Sequence, residues 1–277
     1  MNSVMIHREL VKLKEIELFY RDTKTDGPVI LCLHGRWGRG ETWVNFMLQY
    51  GNRYRVIAPD QRGHGLSAKP IAKYTAEEMA KDMICLLDYL GLKQVILVGH
   101  SMGGYIAGYL TAMFPQYVKA LAILDKSANG PDKPGEIPLD QLTMPDPATH
   151  NWPLPFKSLS EAQTFIRHEM ESDLSYQYFM NSLIETVDGY QMMFSPQAMA
   201  ANIAYYQNWF ELLPKITCPV MLVRSSSHEA MPDEDFEKMQ SLLQHSIAFE
   251  VSCPDHNVHL SNPAEFYRYF DKFLTSL

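Results

Sequence analysis

Five short runs of continuously apolar residues constrain the fold of this chain more than any other feature of its sequence. They cover residues 29–33, 56–58, 95–98, 120–124 and 220–223. Strands that are buried on both faces have this composition, and such strands belong to parallel sheets. Because segments with helical spacing lie between the runs, the sequence predicts an α/β fold with a mostly parallel sheet covered by helices on both sides.

Weaker patterns on either side of these runs extend the prediction. Residues 4–13 and 14–20 alternate polar and apolar side chains, which indicates an antiparallel hairpin with one face in water. Residues 247–251 form a last, less apolar strand candidate. Apolar spacing and flanking glycine or proline predict helices over residues 75–90, 102–114, 233–243 and 263–274.

Residues 126–214 interrupt the alternation because they contain no pattern of a buried strand. After an opening rich in glycine and proline, the pattern becomes helical at about 160–171, 175–185 and 196–210. The second half is dense in aromatic residues and methionine, which predicts ordinary core packing together with the lining of an apolar pocket. We interpret 126–214 as a helical cap inserted between two strands of a core domain that comprises 1–125 and 215–277. The opening contains Gly130, Pro131, Pro134, Gly135, Pro138, Pro145, Pro147, Pro153 and Pro155.

Charge and composition exclude several classes of protein. The chain has 24 Lys and Arg against 32 Asp and Glu, a net charge of −8, whereas a general nucleic-acid binder needs a basic face. No run of 18 apolar residues predicts a membrane helix, and the first residues lack the apolar centre of a signal peptide. Four cysteines without CxxC spacing favour reduced thiols and no zinc site. We expect a cytoplasmic protein, monomeric or homodimeric, that binds a small-molecule substrate and neither nucleic acid nor membrane.

The motif that carries chemistry is Gly99-His100-Ser101-Met102-Gly103, which follows a buried strand and precedes a helix. In that context G-x-S-x-G predicts a sharp turn that lifts the Ser101 hydroxyl above the sheet. Side chains at Gly99 and Gly103 would crowd such a turn. The start of the helix then favours negative charge that develops beside the hydroxyl.

A serine nucleophile needs a base, and ten histidines compete for that role. His256 comes soon after the last predicted strand, in a loop that can reach the carboxyl edge of the sheet. His259 follows it, but leads into the final helix. We therefore predict His256 as the base.

Four motifs in this order resemble the α/β-hydrolase family over nearly the whole chain. The resemblance implies an eight-stranded, mostly parallel sheet with the helical cap inserted after the sixth strand. It identifies the fold far more specifically than the substrate. The motifs are Leu33-His34-Gly35, Asp60-Gln61-Arg62-Gly63-His64-Gly65-Leu66-Ser67, Gly99-His100-Ser101-Met102-Gly103-Gly104 and Asp255-His256-Asn257-Val258-His259.

The acid that orients the histidine is the point where this chain departs from the family pattern. The resemblance implies an acid in the loop after the seventh strand, but His228 occupies the expected position and leaves Glu229 as a shifted candidate. Asp125 ends the sixth predicted strand, where some similar proteins carry the acid. We predict Asp125 as the acid of the triad and keep Glu229 as the alternative.

The oxyanion hole needs two backbone N–H donors. Met102 supplies one, and the loop after His34-Gly35 supplies the other, from Arg36 or, as the alternative, Trp37. The Arg36 side chain could pair with a substrate carboxylate, or it could point to solvent or neutralise a local acid. The predicted substrate-binding residues are Arg36, Trp37, His100, Trp152 and Trp209.

These residues predict a serine hydrolase without cofactor or metal that cleaves a small ester, amide or diketone-like C–C bond. A substrate with a carboxylate would suit Arg36. The first alternative is a cofactor-independent dioxygenase of a heterocyclic substrate on the same fold, in which Ser101 is not a nucleophile. The second alternative is a ligand receptor that keeps the triad with little turnover.

Overall fold

The computed structural model describes residues 3–142, 146 and 148–277. Pro145 and Pro147, which belong to the predicted opening of the cap, lie outside the described residues. The strands are β1 His7–Lys12, β2 Glu17–Asp22, β3 Val29–Leu33, β4 Arg55–Pro59, β5 Val95–His100, β6 Val118–Leu124, β7 Leu183–Thr186, β8 Gly189–Met192, β9 Val220–Ser225 and β10 Ser246–Val251. The α-helices are α1 Val44–Tyr50, α2 Ala76–Tyr89, α3 Met102–Met113, α4 Leu159–Glu169, α5 Asp173–Met180, α6 Pro196–Ala204, α7 Asp233–Leu242, α8 Val258–Ser261 and α9 Pro263–Thr275.

Eight of these strands form one sheet in the order β1-β2-β4-β3-β5-β6-β9-β10. The pairs β1–β2 and β2–β4 are antiparallel, and every other pair in this sheet is parallel. The five apolar runs are β3, β4, β5, β6 and β9, so they form the buried centre of the sheet. This confirms the predicted eight-stranded, mostly parallel architecture, including the hairpin at its first edge.

Helices cover both faces of the sheet, because the central strands present apolar side chains on both sides. On one face, Phe46 of α1 packs with Phe266 and Phe270 of α9. On the other face, Met83 of α2 and Ile106 of α3 belong to the second apolar cluster. The central strands are therefore fixed from two sides, and their carboxyl ends provide a rigid edge for a site.

The capping of α2 shows how the sequence sets a helix boundary. The Thr75 hydroxyl accepts from the Glu78 N–H, and the Glu78 carboxylate accepts from the Thr75 N–H. This reciprocal pair satisfies two donors that the first helical turn leaves open. Gly91, with φ of +67°, follows the last turn.

Between β6 and β9 the chain forms the cap, with α4, α5 and α6 as its α-helices among the described residues. The predicted helix over 175–185 is wrong in its second half: α5 ends at Met180, and the antiparallel hairpin β7–β8 follows. Two causes favour strands there. Ile184, Thr186 and Val187 are β-branched, and Tyr190 pairs with Phe156 from a distant part of the cap.

The predicted helix over 196–210 is also too long, since α6 ends at Ala204 and a 3₁₀-helix, Phe210–Lys215, follows. The chain leaves the helix so that Tyr206 and Trp209 can pack against Tyr105 of α3. No described helix is long and apolar enough to cross a membrane.

Candidate active site

Ser101 occupies the turn between β5 and α3 with φ of +53°. This left-handed conformation is strained for a residue with a side chain. A side chain at Gly99 would clash with the Gly103 carbonyl, and one at Gly103 would clash with the Leu33 carbonyl. The glycines therefore allow the turn to be tight enough to place Ser101 at the start of α3.

His256 and Asp125 form a hydrogen-bonded pair at the carboxyl edge of the sheet. His256 Nδ1 donates to Asp125 Oδ2 at 2.8 Å. The Asp125 side chain is fully buried, and its Oδ1 accepts from the Ser225 N–H at 2.9 Å. Two donors thus fix the carboxylate, which in turn fixes the orientation of the imidazole and leaves Nε2 to act on a substrate or a serine.

Glu229, the alternative acid, lies elsewhere. Its side chain is exposed, and no described residue forms a hydrogen bond with its carboxylate. The neighbouring His228 contacts Asp233 and Glu250 instead. Of the two candidate acids, the structure brings only Asp125 to His256.

Ser101 and His256 line one cavity of about 390 Å³, which we call the His256 cavity. Among the described residues no hydrogen bond joins the Ser101 hydroxyl to His256. Hydrogen bonds of this type are often long before a substrate is bound. The His256 cavity is lined by Gly35, Arg36, Trp37, His100, Ser101, Ser175, Tyr178, Phe179, His256 and Asn257.

His100 supports the loop that carries His256. Its Nε2 donates to the His256 carbonyl oxygen at 2.9 Å. Burial, together with the nearby His256 and His259, lowers the pKa of His100 well below its ordinary value, so the ring is neutral. His100 lines the His256 cavity and also positions the histidine loop, while its role in substrate binding stays a prediction.

The loop after β3 passes close to the nucleophile because Gly35 has no side chain. A Cβ at Gly35 would lie 3.2 Å from Ser101 Cβ and 2.9 Å from His100 Nδ1. The Gly35 carbonyl accepts from His34 Nδ1 at 2.8 Å and from the Gly38 N–H at 3.3 Å. Since a trans peptide directs its N–H opposite to its carbonyl, these bonds fix the direction of the Arg36 N–H.

The candidate oxyanion donors are therefore held by backbone geometry. Neither the Arg36 N–H nor the Met102 N–H donates to another described residue. Met102 opens α3, where the first N–H groups have no partner within the helix. The Trp37 N–H, the alternative donor, belongs to the peptide whose Arg36 carbonyl accepts from the Tyr178 hydroxyl at 3.0 Å.

The Arg36 side chain pairs with an acid of the cap. Its Nη2 lies 2.6 Å from Asp146 Oδ1, and the guanidinium stacks on Trp37 at 4.4 Å from the ring centre. Trp37 Nε1 donates to Asp146 Oδ2 at 2.9 Å. Of the roles open to Arg36 from the sequence, neutralising a local acid matches this geometry.

A second cavity, of about 310 Å³, also has Ser101 in its wall. We call it the Lys126 cavity after the one lysine among its lining residues. Ser101 and Arg36 line both cavities, so the nucleophile stands between two spaces. The Lys126 cavity is lined by Arg36, Ser101, Met102, Tyr105, Lys126, Pro131, Asn202, Ile203 and Tyr206.

Two tryptophans predicted to bind substrate lie outside both cavities. Trp209 is fully buried, and its ring packs against Tyr105 and fills the space beside Gly108 of α3. Trp152 lines a separate cavity within the cap and packs on Phe179. A sequence rich in aromatic residues is typical of a packed core and of a pocket wall alike. For this reason the sequence predicted that both tryptophans bind the substrate.

Sequence reasoning missed Lys126 and Asp146. Lys126 directly follows the predicted acid Asp125, and this adjacency is a signal that could have found it. Asp146 lies in the proline-rich opening of the cap, where no periodic pattern marks it. Within the described residues, no group of three His, Cys, Asp or Glu side chains could hold a metal ion.

The sheet order, the serine turn and the histidine–carboxylate pair define the class: an α/β protein whose site lies at the carboxyl ends of parallel strands. A family model described as the α/β hydrolase fold matches residues 28–263. The chain therefore belongs to the α/β hydrolase fold family, an assignment that also confirms the predicted hydrolase class.

Named relatives agree with this assignment. Serine hydrolase BPHL of Homo sapiens is 27% identical over 269 residues, which cover 95% of this chain and 85% of the relative. The 2-(acetamidomethylene)succinate hydrolase of Mesorhizobium japonicum is 36% identical over 115 residues, 42% of this chain and 41% of the relative. The solved structure of an E-2-(acetamidomethylene)succinate hydrolase superposes with a TM-score of 0.82 at 23% identity, covering 98% of this chain and 100% of that one; it shows the shared fold.

Proposed function

We propose that this protein is a serine hydrolase that cleaves a small ester, amide or diketone-like C–C bond through an acyl-enzyme. The observation that carries the proposal is the buried Asp125 carboxylate bonded to His256, on the cavity that also holds the strained Ser101 turn. A fixed histidine beside a serine at a helix start is the arrangement that nucleophilic acyl transfer requires.

The proposed reaction has two halves. His256 Nε2 takes the Ser101 proton as the hydroxyl oxygen attacks the carbonyl carbon, and the developing oxyanion is bound by the N–H groups of Arg36 and Met102. The resulting imidazolium gives its proton to the leaving group as the bond to the carbonyl carbon breaks. Water, activated by His256, then attacks the acyl-enzyme and returns Ser101 to its initial state. Asp125 stabilises the imidazolium in both halves.

The size and lining of the two cavities support a small substrate. With Ser101 between spaces of about 390 and 310 Å³, the acyl part can occupy one and the leaving group the other. Each cavity is of the size that a small ligand fills. The relatives named serine hydrolase and 2-(acetamidomethylene)succinate hydrolase agree with acyl chemistry on small molecules.

A fluorophosphonate probe tests the proposal because it reacts only with an activated serine. We expect wild-type protein and the exposed-site control Ser241→Ala to be labelled and Ser101→Ala to remain unlabelled. Mass spectrometry of the labelled peptide should place the adduct on Ser101. A wild-type protein that resists labelling would contradict the serine hydrolase.

If labelling fails, two further assays distinguish between the alternative functions. Oxygen uptake with a heterocyclic substrate that persists in Ser101→Ala would favour the cofactor-independent dioxygenase. Tight ligand binding without turnover would favour the receptor. A cytoplasmic location and a monomeric or homodimeric state stay predictions, to be checked by fractionation and by light scattering.

A further inference from the structure

Lys126 is a cation of the active-site region that the proposed reaction does not use. It follows Asp125 at the end of β6 and lines the Lys126 cavity together with Ser101. No carboxylate of a described residue lies within ion-pair distance of it. Arg36, the other cation on this wall, is already paired with Asp146 at 2.6 Å.

The surroundings of Lys126 hold the charge in place without neutralising it. Its Nζ lies 4.0 Å from the centre of the Tyr206 ring, a contact that attracts the ammonium group but supplies no negative charge. A Cβ at Gly104 of α3 would lie 3.1 Å from Lys126 Cβ, so the base of the side chain is closely packed. Burial, with a smaller contribution from Arg36, lowers the pKa of Lys126 to about 8.

Lys126 is half-buried and has no paired carboxylate among the described residues, so a bound ligand can supply the countercharge. The described part of the cavity wall offers one unpaired cation, the Lys126 ammonium group, because Arg36 forms an ion pair with Asp146. A single positive charge fits a monoanion such as a carboxylate better than a doubly charged phosphate. Asn202 and Tyr105 also line the cavity and are neutral polar residues.

We propose that Lys126 binds a carboxylate of the substrate in the Lys126 cavity and thereby selects anionic esters or amides over neutral ones. This inference rests on the proposed hydrolase function, because it places the carboxylate on one side of the bond that Ser101 attacks. Lys126 does not enter the proton transfers, so its loss should lower kcat/KM for anionic substrates far more than for neutral ones.

The test compares esters of matched chain length in which a carboxylate replaces a terminal methyl group, on either side of the bond. The pairs are 4-nitrophenyl hydrogen adipate with 4-nitrophenyl hexanoate, and 4-acetoxybutanoate with butyl acetate. We expect Lys126→Met to lower kcat/KM for the anionic member of at least one pair by about 10- to 100-fold relative to its neutral member, the range of a charge-assisted hydrogen bond.

Lys119→Met is the matched control. Lys119 lies on the same strand β6, is exposed and is remote from both cavities, so the variant removes the same charge from the protein without touching the site. Lys119→Met should change kcat/KM for neither the anionic nor the neutral ester. Lys126→Arg should recover part of the selectivity for the anionic ester, since it keeps the charge.

The pH dependence gives a readout that a structural role would not reproduce. As the pH rises through about 8, Lys126 loses its proton, and the ratio of kcat/KM for the anionic ester to that for the neutral ester should fall. A change in the catalytic step that both esters share cancels in the ratio. The other charged or titratable groups that line the Lys126 cavity among the described residues are Arg36, Tyr105 and Tyr206. The carboxylate of the adjacent Asp125 is bonded to His256 instead. In Lys126→Met the ratio of kcat/KM for the anionic ester to that for the neutral ester should not change with pH.

Calorimetric titration with hexanoate and hexanamide separates this proposal from the hydrolase itself, since it needs no turnover. We expect hexanoate to bind the wild type more tightly than hexanamide and to lose that advantage in Lys126→Met. Equal binding of hexanoate to both proteins, or an anionic-to-neutral kcat/KM ratio that changes less than threefold in both ester pairs, would overturn the role of Lys126. The serine hydrolase would then still stand on fluorophosphonate labelling.

Discussion

Exchanging Asp125 for asparagine is the most informative single perturbation of the proposed site. The amide keeps the shape of the side chain and can still accept from the Ser225 N–H, so the fold should hold. What changes is the charge at 2.8 Å from His256 Nδ1. The imidazolium that forms during proton transfer then loses its anion, and the neutral imidazole loses the acceptor that selects its tautomer.

The size of the effect follows from that distance. Opposite unit charges 2.8 Å apart attract by about 6 kcal/mol at an effective dielectric constant of about 20. Because the His256 side chain is 42% exposed, solvent screening reduces this value. We therefore expect kcat to fall by about 1,000- to 10,000-fold, which corresponds to a barrier increase of about 4 to 5.5 kcal/mol.

The assay is the steady-state hydrolysis of 4-nitrophenyl hexanoate, with the rate of fluorophosphonate labelling as a second measure of serine activation. Glu229→Gln is the matched control, because it also replaces a carboxylate by its amide, at an exposed position without contact to His256. It should leave kcat within about twofold. A loss of 1,000-fold or more in Glu229→Gln, with Asp125→Asn close to wild type, would refute the reasoning.

Three other changes test neighbouring features. Gly103→Ala should abolish labelling or folding because its Cβ would meet a strand carbonyl, whereas Gly104→Ala, with contacts of 3.1 Å or more, should cost far less in thermal stability. Burial lowers the pKa of His259 to about 3. As the pH falls below about 6.5, only the unfolded state gains this proton, so His259 contributes a loss of stability of about 1.4 kcal/mol per pH unit; His259→Phe should reduce the slope of stability against pH in thermal melts by that amount. Asp146→Asn frees Arg36 and should raise the ratio of kcat/KM for anionic to neutral esters.

The fold could be predicted because its strongest signals are local. A strand that is buried on both faces has no polar position, so each central strand is visible as an apolar run without knowledge of its neighbours. The hairpin β7–β8 was missed for the opposite reason. Its position depends on the bridge from Tyr190 to Phe156, which joins residues 34 positions apart, and the aromatic spacing around Tyr176 fits a helix equally well.

The residues of the candidate site also differ in whether a local sequence pattern or a distant contact determines their position. Ser101 is marked by its glycines, since only they permit the turn that presents it. Arg36 could not be assigned from the sequence, because its partner Asp146 lies more than a hundred residues later and reaches it only through the fold of the cap. Trp209 was misplaced because an aromatic ring in the core and one in a pocket wall have the same sequence signature.

The end of β6 connects the proposed acid with the proposed anion site. The Ser101 N–H donates to the Leu124 carbonyl at 2.9 Å, so the nucleophile turn and the end of this strand are one hydrogen-bonded unit. Asp125 then adopts φ of +48°, a conformation that costs a residue with a side chain about 1 to 3 kcal/mol. With that turn the carboxylate faces His256, while Lys126 packs on α3 and lines the second cavity. An acid placed after this strand therefore also determines where the next side chain can meet the charge of a substrate.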